Sequence, residues 1–136
     1  IYNIDEMPFD KYKEILMKNL IPFTPLDLKI SKSLLLENNF QNLEAIDWDK
    51  GCYVGQEITA RMKYRALLKK QIYVFEIISG EINIGDEIIE NKITYGKVLS
   101  KVKNYILCML KIHLVKERKS NKSIIELSGS TIIKFL

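Results

Sequence analysis

Histidine, cysteine and arginine are all scarce in this chain. His113 is the only imidazole and Cys52 and Cys108 are the only thiols among 136 residues. There is no CxxC and no HExxH, so a preformed metal site with four protein ligands is not expected within the chain. A thiol that shares a metal site with another chain stays open. Two cysteines this far apart are not the dense framework of a small secreted domain, and the chain reads as one with free thiols in a reducing compartment. No apolar run approaches the roughly 20 residues that span a bilayer, and the first 30 residues lack a basic stretch followed by an apolar one. Neither a membrane nor a leader is therefore expected. The first residue is Ile1 rather than methionine, and the expectation is a piece of a longer protein or a processed product.

What is present suits a folded domain. Hydrophobic residues make up 47% and charged residues 28%, the balance of a chain that can bury a core. The net charge of +4 is unevenly placed. Residues 1–65 hold nine Lys/Arg against ten Asp/Glu, a net of −1, whereas residues 66–136 hold twelve against seven, a net of +5. A basic half can attract acidic partners or nucleic acid. The excess is almost all lysine and lacks an aromatic-flanked RNA-binding run, which favours a solvated lysine coat over direct nucleic-acid binding.

The texture changes near residue 66. Before it, "FDKYKEILMKNL" places Phe9, Tyr12, Ile15, Leu16 and Leu20 near helical spacing, with Asp10 as a candidate cap and Pro22 just beyond. Residues 22–33 read as a connector. "SLLLENNF" is a short apolar run stopped by Asn38-Asn39, and "QEITARMKYR" is a short helix with Ile58 and Met62 on one face and Glu57, Arg61 and Arg65 on another. From Leu67 onward, "KKQIYVFEII", "DEIIE", "ITYGKVLSKV", "NYILCMLKI", "SIIEL" and "TIIKFL" are short and rich in β-branched residues. Turn signals separate them, among them Ser79-Gly80, Gly85-Asp86, Lys119 to Lys122 and Ser128-Gly129. Six strands in about 70 residues suit a small antiparallel β-barrel. The fold class expected is α+β.

The stretch "DKGCYVGQE", residues 49–57, carries the chemistry. A thiol reacts, or binds metal, as thiolate, a form favoured near cations and helix N-termini. Cys52 lies two residues from Lys50 and a few residues ahead of the expected helix. Gly51 and Gly55 permit backbone conformations closed to other residues and a close approach by another molecule. The bland alternative is a small buried hydrophobe beside a glycine turn. A nucleophilic enzyme would need a general base, and His113, in or just after a strand, is the sole imidazole. Cys108 in "YILCMLKI" reads as packing, and Trp48 as a core anchor for the loop.

"DKGCYVGQEITARMKYR" resembles the signature of the YgfZ family, relatives of the glycine cleavage T-protein, in which K-G-C-aromatic-x-G-Q-E precedes a T-A-R-like run. Lys50, Gly51, Cys52, Tyr53, Gly55, Gln56, Glu57, Thr59, Ala60 and Arg61 match it. "SLLLENNF" is similar to the family's L-P-L-E-x-N segment through Glu37 and Asn39, with Leu35 where proline is usual. The resemblance implies that residues 1–65 end a folate-binding-type domain and that residues 66–136 form the terminal barrel. It also implies a role in assembling or repairing iron–sulfur proteins, tRNA-modifying enzymes included, with Cys52 as working thiol. Lys50 would tune that thiol, Gly51, Tyr53 and Gly55 would shape the loop, and Gln56, Glu57 and Arg61 would hold it to the helix or meet a partner. Tetrahydrofolate and a transient iron–sulfur cluster in a shared site are the cofactors implied. The partners would be iron–sulfur clients or assembly proteins and the earlier part of the same chain. The compartment would be the bacterial cytoplasm or the mitochondrial matrix. "ILMKNLIP" departs from the family's L-R-I-E-x-G-x-P segment at Leu16, Lys18 and Leu20, which weakens the case for folate. The competing readings are a folate-dependent aminomethyltransferase and an RNA-binding barrel.

Overall fold

The structure, a computed structural model, describes residues 6–65, 67–119, 124–127 and 130–136. Helix α1, Phe9–Lys18, begins two residues earlier than Asp10 would place it as a cap. Pro8 takes the N-cap, with its carbonyl accepting the N–H groups of Lys11 and Tyr12 at 2.9 and 3.2 Å, and Asp10 instead pairs with Lys13 in the first turn. Proline suits this place because it has no N–H to leave unsatisfied. The helix ends in crossed backbone bonds, Ile21 N–H to Leu16 O at 2.9 Å and Leu20 N–H to Met17 O at 3.0 Å. That closure forces Leu20 to φ +53, a left-handed conformation that costs a leucine about 1–2 kcal/mol. Helix α2, Gln56–Tyr64, follows a run of turns.

Strands β1 (Lys70–Ser79), β2 (Glu87–Glu90), β3 (Ile93–Val102), β4 (Tyr105–Lys111), β5 (Ile124–Glu126) and β6 (Ile132–Phe135) form one antiparallel sheet in the order β2-β3-β4-β1-β6-β5. The six strands fall where the apolar runs place them, and the curved sheet makes a nearly closed barrel, as the α+β expectation requires. Period-two alternation sorts the central strands between two cores. On β1, Tyr73, Phe75 and Ile77 face the interior, with Ile106, Cys108 and Leu110 of β4. Ile72 and Val74, with Leu107, face outward beneath Met17 of α1. Bulges in the β3 pairings shift the register between Val98 and Ser100, which puts Val98 in the inner core and Leu99 and Val102 in the outer one.

The C-terminal half is not all strand. Helix α3, Ile112–Lys119, continues directly from β4 and takes in Ile112 and His113. Its Arg118 is placed between the two edge strands. The guanidinium donates to Glu90 Oε1 on β2 and, at 2.9 Å, to the Ile124 carbonyl on β5. Tyr95 Oη donates to the other oxygen of Glu90 at 3.1 Å. Residue 66, the Lys119 to Lys122 turn beyond Lys119 itself, and Ser128-Gly129 lie outside the described residues.

Arg118→Met keeps the apolar stem but leaves the buried Glu90 carboxylate with only the Tyr95 hydroxyl. The expected loss is about 2–3 kcal/mol, read as a lower urea midpoint with an unchanged slope. An unchanged midpoint would remove the clamp from the stability of the barrel. Gly96 marks a second critical spot, since a Cβ there would sit 1.9 Å from the Met109 carbonyl oxygen across the β3–β4 ladder. Gly96→Ala is expected to cost about 1–3 kcal/mol, with the same unfolding curve as its test.

Candidate functional site

A small apolar cluster holds the cysteine loop at its two ends. Leu36, Ile46 and Met62 are buried together, with Leu34, Phe40, Trp48 and Leu68 packed around them. Trp48 meets Tyr64 edge to face at 6.2 Å, and the Lys63 ammonium lies 3.7 Å from the Trp48 ring centroid. Trp48 therefore anchors the loop, as its position suggests. Asp47 accepts the Asp49 N–H at 2.9 Å, a local turn that lets the chain leave the cluster. It returns at Gly55, whose φ of +87 is open to glycine and strained for any side chain. The Gly55 carbonyl accepts both the N–H and the hydroxyl of Thr59, at 3.3 and 3.1 Å.

Between these anchors, Lys50, Gly51, Cys52 and Val54 are exposed and Tyr53 is half-buried. Cys52 thus sits at the surface, four residues before α2 begins. The Lys50 ammonium lies 4.5 Å from the Tyr53 ring centroid, a cation–π contact within the loop. Tyr53 accepts the Gln56 N–H at 3.1 Å, and Glu57 pairs with Arg61 on the exposed side of α2. The motif residues are therefore gathered into one loop and the two turns that follow it. Two expectations need correcting. Of the two glycines, only Gly55 has a positive φ, while a Cβ on Gly51 would meet open space; any demand for glycine at 51 comes from what approaches it. Ile58 does not share the buried face of Met62. Thr59 takes that place, and Ile58 stays 58% exposed, because the apolar cluster is only one turn deep.

The two thiols differ sharply. Cys108 is fully buried in β4, and burial alone pushes its thiol far up, since a charge there would be cut off from water. Its packing role holds. His113 is exposed on α3, and among the described residues no hydrogen bond joins it to Cys52. It lines instead a cavity of about 550 Å³ with Leu68, Lys69, Lys70, Lys111, Ile112 and Lys116. The sequence signalled this convergence only as the charge excess of residues 66–136.

The three positions where the family pattern fails lie at the end of α1. Leu16 borders a cleft of about 10 Å³ that also touches Asp27 and Ser100. Lys18 is held by Glu14 at 2.7 Å and lies over the Tyr105 ring at 4.1 Å. Leu20 occupies the left-handed position where the pattern has glycine. Lys18 and Leu20 also line a cavity of about 230 Å³ together with Asn39, Gln71 and Phe135. No group of three His, Cys, Asp or Glu is placed to hold a metal ion, and no helix is long and apolar enough to cross a membrane, among the described residues.

No family model matches the chain. Curated proteins do. A stretch of 47 residues is 47% identical to an "Iron-sulfur cluster assembly factor IBA57 homolog, mitochondrial" of Mycosarcoma maydis, covering 35% of this chain and 12% of that protein. The mouse "Iron-sulfur cluster assembly factor IBA57, mitochondrial" is 36% identical over 53 residues, 39% of this chain and 15% of its own length. A "tRNA-modifying protein YgfZ" of Serratia proteamaculans is 40% identical over 52 residues, 38% of this chain and 16% of that one. The matches thus span less than a fifth of each of these relatives. They are members of one family, the family that the cysteine loop resembles.

The two environments predict selective labelling. Iodoacetamide added to the native protein at pH 8 is expected to give one adduct, on Cys52, with Cys108 reacting only after unfolding. Mass spectrometry of tryptic peptides distinguishes the two. Equal native labelling of both thiols would show that the β4 core opens readily.

Proposed function

We propose that this chain is the C-terminal portion of a YgfZ-like factor that assists the assembly or repair of iron–sulfur proteins, with Cys52 as its working thiol. The observation that carries the reading is the placement of Cys52, exposed at the tip of a loop tied down at both ends, while the other cysteine is buried. The likeness to iron–sulfur assembly factors supports the class of work. A thiol on display with little around it is suited to meeting a sulfur atom or an iron centre carried by another protein.

The chemistry follows from what the loop provides. One thiolate is one ligand, so an iron–sulfur cluster handled here is cargo, held jointly with thiols of a client or an assembly partner. Gly51 leaves open space beside Cys52, which lets a partner's backbone come close. Val54 and Ile58, both exposed, give that partner apolar surface next to the sulfur. Lys50 supplies a positive charge that complements the anionic thiolate, while its contact with Tyr53 limits where the ammonium can go. Glu57 and Arg61 offer polar contacts along the exposed side of α2. A link to tRNA modification fits the name of one relative, and the bacterial and mitochondrial relatives fit a cytoplasmic or matrix setting. Folate plays no part in the reading.

The test uses the full-length protein in cells lacking their own version. The activity of a [4Fe–4S] enzyme is compared between cells carrying the parent protein and cells carrying Cys52→Ser, with protein level checked. Activity is expected to fall with Cys52→Ser to that of cells without the factor. Equal activity in the two would end the role of Cys52 as the working group.

A further inference from the structure

We propose that the lysine-lined cavity between the start of β1 and the β4–α3 junction binds a small phosphorylated molecule with an apolar or aromatic body. Backbone pairing builds the cavity. Lys70 and Lys111 stand opposite each other in the β1–β4 ladder, and Ile112 N–H donates to Lys69 O at 3.0 Å. These bonds bring Leu68 to Lys70 alongside Lys111 and Ile112. Lys116 follows one turn later on α3, on the side of the helix that carries Ile112 and His113.

Charge sets this cavity apart from an ordinary lysine coat. Four lysines and one histidine line it, and none of the lining residues is acidic. Like charges directly opposite in a ladder cost stability, and Lys70 opposite Lys111 is such a pair. Lys111 relieves part of this by donating to the Thr94 carbonyl at 3.0 Å. Lys70 is felt by Glu37, whose carboxyl is nevertheless held above its usual range because desolvation outweighs the lysine. Among the described residues, Lys69, Lys70 and Lys116 make no ion pair. A solvated coat spreads its lysines apart; here they converge on one concavity.

Shape and residue type then narrow the occupant. Small-molecule sites run to roughly 300–1,000 Å³, and about 550 Å³ holds a nucleotide-sized molecule. Leu68 and Ile112 make part of the wall apolar, which a bare inorganic anion cannot use. The basic lining contains no arginine, so an anion there meets point charges rather than the planar fork that grips carboxylate or phosphate in pairs, and several point charges together suit a multiply charged phosphate. A phosphorylated molecule whose body rests on Leu68 and Ile112 satisfies all three features.

Adenosine triphosphate is a suitable probe, titrated calorimetrically into the full-length protein at low salt. Saturable binding at one site is expected, weakened several-fold by 0.3 M salt through screening. Inorganic triphosphate is expected to bind several-fold more weakly than the nucleotide. Lys69→Gln combined with Lys116→Gln removes two exposed ammonium groups and is expected to lower affinity about tenfold while the thermal midpoint stays put. Four outcomes would overturn the proposal. They are no saturable binding at low salt, unchanged affinity in the folded double variant, equal affinity for triphosphate and nucleotide, and a short RNA held by the same lysines that the nucleotide cannot displace. None of these readouts involves Cys52 or an iron–sulfur enzyme.

Discussion

The barrel depends on how its open seam is covered. The strand order ends at β2 on one side and β5 on the other, and both are short. Unpaired edges invite pairing with other chains, and a six-stranded sheet this small has little core to spare. The Arg118 side chain addresses both edges at once through Glu90 and Ile124. Glu90 is 8% exposed, and a carboxylate buried that deeply requires a partner. The requirement ties α3 to both edges through Arg118, and Val115 of the same helix is buried in the inner core. Ile88 and Ile125, on the two edge strands, can then both be fully buried.

Much of this was legible from the order of residues, for physical reasons that differ by element. Each strand runs through β-branched and aromatic residues and stops at turn formers, so "ITYGKVLSKV" marks β3 with the bounds it has, Ile93–Val102. Helix α3 was hidden. Its apolar residues, Ile112, Leu114 and Val115, crowd into the first turn, and a charged "KERK" follows. A run of that kind carries no 3.6-residue repeat and reads as a strand tail with a turn. Ile58 misled for the opposite reason. Helical spacing showed correctly that Ile58 and Met62 could share a face, but spacing cannot say how deep the cluster beneath it is. The ten motif residues were visible as a block in the sequence. That Lys50 would rest on Tyr53 was not, because a contact three residues apart in a loop follows no repeat.

The loop itself shows why a reactive group can sit where few contacts hold it. Its fixed points are Ile46 and Trp48 on one side and Gly55 with Thr59 on the other, and the residues between are mostly solvated. A thiol buried among Phe75, Leu110 and Ile133 loses the charged form that gives it reactivity, which is the condition of Cys108. A thiol on an unanchored tail would keep that form but would spend rotational and backbone freedom each time it met a partner. Tethering both ends reduces that loss while keeping the sulfur in water. Gly55 is the residue that makes the second tether geometrically available, since the chain must enter α2 through a left-handed position.

The loop and the lysine cavity are linked through Leu68. That side chain packs with the cluster around Leu36, Ile46 and Met62 and also forms part of the cavity wall. Glu37 joins the same region from the other direction, because its carbonyl accepts the Ile72 N–H at 2.9 Å and its carboxyl feels Lys70. The segment that anchors the thiol loop is thus fastened to β1 at the strand's entry, beside the charged end of the sheet. Any molecule that neutralised Lys69 and Lys70 would act on the residues that seat Leu68, and Leu68 is one packing layer from Trp48 and Met62. The net +5 of the C-terminal half therefore has a local address, at the junction where the barrel receives the cysteine-bearing segment.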